Sequence, residues 1–94
     1  MTNLRKSIYS PEHEYLRKTF VARRQELGLT QRQLADRLGV IYSLIGKIET
    51  GDRRLDVVEF IEFCQGLEID PNELINLLIL LKNKEDTTQT NLKI

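Results

Sequence analysis

Between residues 30 and 51 two helix-sized segments follow one another with only Gly39-Val40-Ile41 to separate them, a connection too tight to let the second helix run parallel to the first. Thr30 has the character of an N-cap, and Gln33 stands three residues on, at the spacing of a capping box that satisfies two orphan backbone donors. Leu34, Ala35 and Leu38 then form a buried stripe, and Gly39 falls where a residue with positive φ must end the helix. Val40 can plug between the two helices. The second helix is expected to begin near Ile41 or Tyr42, to bury Ile45 and Ile48, and to stop at Thr50-Gly51. Its outward face then carries Tyr42, Ser43, Gly46 and Lys47.

The rest of the chain reads as three further helices around this unit. Ser10 and Pro11 open helix one as N-cap and first-turn residue, with Glu12 and Glu14 complementing the helix dipole. Its inward stripe includes Leu16, Phe20 and Leu27, and Arg24 falls on the same spacing; a charge turned inward requires a partner, for which Glu49 is the candidate. After Asp52-Arg53-Arg54, helix four is expected over 56–67 with Val57, Phe60, Ile61, Cys64 and Leu67 inward. Asp70-Pro71-Asn72-Glu73 opens helix five, which continues to residue 82. Its core stripe is Leu74, Leu77, Leu78 and Leu81, which leaves Ile75, Ile79 and Leu80 over. Such aliphatics mark a dimer interface, or else a wide stripe covered by the fold or the tail. The domain is therefore all-α, five helices over 10–82, between an N-terminal arm at 1–9 and a polar tail at 83–94, both expected to be flexible.

Composition limits what such a domain can do. With 94 residues there is room for one modest core and no second, catalytic domain. Cys64 is the one cysteine and the chain has one His, so neither an internal disulfide nor a zinc set is available; Cys64 reads as a buried small hydrophobe. His13, between Glu12 and Glu14, reads as an exposed first-turn residue. No spaced catalytic pair, metal-ligand set or Gly-rich phosphate loop is present, so the chain is not expected to be an enzyme or to need a cofactor. No N-terminal signal and no membrane-length apolar run appear, and a cytoplasmic place is expected. The net charge is zero, yet residues 1–57 hold eleven Lys plus Arg against seven Asp plus Glu, and residues 58–94 hold three against seven. That is +4 against −4, a polarity able to orient one half toward phosphates.

Three blocks carry a family resemblance: Arg23-Arg24-Gln25-Glu26-Leu27-Gly28-Leu29-Thr30-Gln31, Leu34-Ala35-Asp36-Arg37-Leu38-Gly39-Val40, and Ile45-Gly46-Lys47-Ile48-Glu49-Thr50-Gly51. In their order and spacing they resemble the Cro/C1-type (XRE-like) helix-turn-helix domains, a lambda-repressor-like five-helix fold, over about residues 12–81. The resemblance implies a regulator that lays its third helix in the major groove of double-stranded DNA, usually as a homodimer joined through its last helix. It implies a structural Arg24–Glu49 ion pair and base contacts from Tyr42, Ser43 and Lys47, with Gly46 on the same face. Phosphate contacts fall to Thr30 and Gln31 and to Arg53 and Arg54, the latter two being otherwise solvated loop charges. The chain departs from the commoner pattern: Ile41 stands where Ser or Thr often caps helix three, Tyr42 where Gln often follows, and Gly46 where a larger polar residue is usual. Ile41 cannot cap through its side chain, a deficit of about 1 kcal/mol against Ser, and Tyr42 cannot make the bidentate adenine contact of Gln, whereas Lys47 can reach guanine. A small dimeric repressor or autoregulator is the expected function. The alternative is an antitoxin, bound to a toxin as well as to its operator, or a protein-interaction module with Ile41, Tyr42 and Leu44 in a protein patch.

Overall fold

A computed structural model describes residues 10–85. They form α1 (Pro11–Glu26), α2 (Gln31–Leu38), α3 (Tyr42–Thr50), α4 (Val57–Gly66) and α5 (Pro71–Glu85), with no strand among the described residues. The expected arm at 1–9 and residues 86–94 of the expected tail lie outside them. Residues 83–85, expected in the tail, are helical and belong to α5.

Local chemistry sets the boundaries. Ser10 Oγ accepts from the His13 N–H at 3.2 Å to start α1. Thr30 Oγ1 accepts from the Gln33 N–H at 3.0 Å while Gln33 Oε1 accepts from the Thr30 N–H at 2.8 Å, the reciprocal box expected from the sequence. A second such box, between Asp56 and Glu59, opens α4. Gly39 ends α2 at φ 71°, a left-handed conformation costly for a residue with a Cβ, and the chain turns there into α3. Ile41 precedes α3 with no side-chain cap, and the first turn is closed instead by the Leu44 N–H donating to the Ile41 carbonyl at 3.1 Å.

Phe20, Leu34, Ala35, Ile45, Ile48, Phe60, Phe63, Cys64, Leu67 and Leu74 form one buried cluster. α1 packs on α3 and α5, and α2 on α3 and α4. The Phe20 ring lies stacked on Phe63, centroids 5.5 Å apart, with Phe60 beside it at 6.3 Å.

Three expectations are corrected here. In α4, Val57 and Ile61 are exposed and Phe63 is buried. Apolar residues cover enough of this helix to allow two registers, and the one chosen buries a second aromatic ring on Phe20 in place of smaller aliphatics. In α5, Leu74 is buried and Leu78 packs on the core, but Leu77 is 46% exposed. Only one flank of α5 meets the rest of the domain, so the inward stripe is narrower than its run of leucines. His13 is half-buried, with its Nδ1 3.1 Å from Ser10 Oγ.

The end of α4 is held by arginines from other helices. It has no cation of its own in its last turn. Arg23 Nε of α1 donates to the Leu67 carbonyl at 2.9 Å, and Arg37 Nη1 of α2 donates to the Gly66 carbonyl at 3.0 Å. Both place positive charge where the helix dipole is negative.

Candidate nucleic-acid interface

The position of α3 is fixed by a polar network at its base. Arg24 of α1 reaches Glu49 through Nε at 2.7 Å and Nη2 at 3.1 Å, a bidentate pair whose side chains are only 12% and 7% exposed. Arg24 Nη1 also donates to the Leu29 carbonyl at 2.8 Å, and Gln31 Nε2 donates to Glu49 Oε1 at 2.8 Å. One carboxylate at the end of α3 is thus tied to α1 and to the first residue of α2, and through Arg24 to the loop before α2. The inward arginine was legible from spacing, with Glu49 as its candidate partner and the pair implied by the family resemblance; the part played by Gln31 was not legible. The Gln31 amide retains a second N–H beyond the one given to Glu49.

On the outer side of α3, Tyr42 (45% exposed), Ser43 and Lys47 face solvent. Gly46 is half-buried because Gln31 leans over it: a Cβ built at Gly46 would stand 3.7 Å from Gln31 Oε1, an ordinary van der Waals contact. A Cβ at Gly46 would therefore lie against the same Gln31 side chain that donates to Glu49. Arg24, Thr30, Gln31, Arg32 and Tyr42 line one open groove of ≈ 520 Å³.

Arg53 and Arg54 do not share that groove. They line a separate cavity of only ≈ 20 Å³ with Leu16, Phe20 and Ile48. Arg53 is held by Glu59 in a two-point ion pair, Nη1 to Oε1 at 3.0 Å and Nη2 to Oε2 at 2.8 Å, and Nη1 also donates to the Arg54 carbonyl at 3.0 Å. The Arg53 guanidinium, and after it the Asp56 backbone N–H, hold the Glu59 carboxyl below the usual carboxylate range.

The residue that the sequence reading missed is Arg32. Its guanidinium carbon lies 4.3 Å from the centroid of the Tyr42 ring, in cation–π range. Among the described residues Arg23, Arg24, Arg37 and Arg53 each pair with a carboxylate, whereas Arg32 has none. Its position two residues past the Thr30 cap gave no apolar period and no motif match by which to find it.

Two short helices crossing at a glycine turn, the second pinned at its base and open along its outer face, define a helix-turn-helix protein. The helix-turn-helix family model matches residues 22–74. A solved structure, an XRE-family like protein from Pseudomonas syringae pv. tomato str. DC3000, shares 38% identity over 85% of this chain and 98% of its own, with a TM-score of 0.73. No curated protein sequence matches the chain. The chain belongs to the Cro/C1-type (XRE) helix-turn-helix family, a family of DNA-binding transcription regulators. No helix among the described residues is long and apolar enough to cross a membrane.

Proposed function

We propose that the chain is a sequence-specific, cytoplasmic regulator that binds double-stranded operator DNA as a homodimer and acts as a small repressor or autoregulator. The observation that carries this reading is the pinned α3 with Tyr42, Ser43 and Lys47 on its open face beside Arg32, which has no carboxylate partner among the described residues. Lys47 supplies a long donor for guanine, and Ser43 a short one for either kind of base. Thr30 and Gln31 approach the phosphates from the start of α2, and Arg53 and Arg54 from the loop after α3. Ile75, Ile79 and Leu80 are exposed along α5, and a second copy of the chain is the occupant we assign to them.

Footprinting against the DNA flanking the coding region tests the reading. Lys47→Ala is expected to weaken binding and relax preference at one base pair, and Arg53→Ala to weaken binding on all sequences alike. Ile41, 72% exposed beside Tyr42, favours the second reading, an antitoxin or interaction module. Absence of DNA binding at every salt concentration, with a co-purified protein bound instead, would establish the interaction module in place of the first reading, whereas an antitoxin would bind both its operator and a co-purified protein.

A further inference from the structure

Arg32 and Tyr42 belong to different helices, α2 and α3, and meet across the groove where these two helices begin. The guanidinium lies 4.3 Å from the ring centroid and has no carboxylate partner among the described residues. A guanidinium held against a ring face loses its freedom to turn out of that plane, while its N–H edges stay unoccupied. A planar, charged fork of donors in a fixed orientation matches an acceptor pair, and in the major groove that pair is O6 and N7 of guanine. We propose that Arg32 and Tyr42 form one reading element, in which Arg32 recognises a guanine at the edge of each half-site and Tyr42 acts as its positioning residue, with no base contact of its own required.

This inference rests on the DNA-binding reading and deepens it. It also accounts for the departure at position 42: a Gln there could read adenine but could not stack a guanidinium, whereas a tyrosine ring does so with two rotatable bonds to order. Arg32 is exposed, so its replacement leaves the core untouched.

The test begins with a duplex enriched from a random-sequence pool by the wild-type chain. Binding of that duplex is compared with binding of copies carrying 7-deazaguanine, which lacks the N7 acceptor, at one guanine at a time. At one position per half-site the replacement should lower wild-type affinity on the order of tenfold and should leave Arg32→Ala unchanged. Tyr42→Leu should lose the same preference, and Tyr42→Phe, which keeps the ring, should retain it. In the free protein, the ring-current shift of the Arg32 side-chain N–H should vanish in Tyr42→Leu and persist in Tyr42→Phe. An Arg32→Ala loss equal on all sequences would make Arg32 a phosphate contact and overturn the proposal, as would a 7-deazaguanine penalty that survives in Arg32→Ala. Enrichment of no duplex at all would overturn the DNA-binding reading together with this one, and is distinguished by appearing in the wild type.

Discussion

At the scale of single residues the account turns on Glu49, whose carboxylate takes three hydrogen bonds from two partners. Glu49→Ala would strand a nearly buried guanidinium, and removal of one side of such a pair destabilises by about 3–5 kcal/mol. Thermal unfolding checks this directly; an unchanged Tm would show that Arg24 finds water or another acceptor without loss. Gly46 offers the opposite case. It sits inside α3, where glycine is unfavourable by roughly 0.5–1 kcal/mol against alanine, and a Cβ there finds only an ordinary contact with Gln31. Gly46→Ala should therefore raise stability by about that amount in denaturant unfolding, and a loss would mean that Gln31 is displaced from Glu49. The stripe through Phe20 and Leu27 made Arg24 legible in the sequence because a charge on an apolar period is conspicuous. Gln31 and Arg32 were harder to place, since a polar residue on a polar face follows no period and its partner depends on where another helix lies.

At the scale of elements, the ends were more legible than the faces. Thr30 with Gln33, Ser10 with Pro11, and Asp70 with Pro71 all mark starts, because capping is local chemistry between residues two or three apart. The α4 register was not legible. Val57, Phe60, Ile61, Phe63, Cys64 and Leu67 support more than one stripe, and stacking on Phe20, a residue of another helix, decides between them. Asp56 and Glu59 repeat the box spacing of α2, and Glu59 joins this cap to Arg53 in the preceding loop. Because the folded-state carboxyl of Glu59 is held below its ordinary value, its contribution is in place above the unfolded pKa, about 4.3, and is lost as pH falls through the folded value. Glu59→Gln should thus lower stability at neutral pH and flatten the acid limb of a stability–pH curve. An acid limb that matches the wild type would show that the pair adds nothing to the fold. Near neutral pH the pair stays ionised, so any phosphate contact by Arg53 must form with Glu59 still charged beside it.

At the scale of the molecule, the charge count and the surface differ. Residues 1–57 hold +4 in sequence, but Arg23 and Arg37 close the end of α4, Arg24 lies inside with Glu49, and Arg53 is paired. The cations open to a duplex near α3 include Arg32 and Lys47, fewer than the count suggests, and this agrees with a binder that gains affinity from linking two copies. Of the exposed aliphatics of α5, Ile75 and Ile79, four apart, form the centre of the proposed seam, and Leu80 borders it on the side toward Leu77, three residues away. Leu77 and Leu80 line a groove with Tyr15 of α1. Ile79 is half exposed and outside the buried cluster, so Ile79→Lys should give a folded monomer in sedimentation, with operator affinity reduced by loss of the linked second half-site. A persistent dimer would place the seam on another face.

The central claim is that α3 of this chain reads duplex DNA, two copies at a time. Selection from a random duplex pool by the wild-type chain at moderate salt measures it most directly. The account predicts enrichment of a palindromic site whose half-site centres lie about one helical turn apart, ~10–10.5 bp, with binding that weakens as salt rises. Enrichment of no sequence, at low salt as at high, would contradict it.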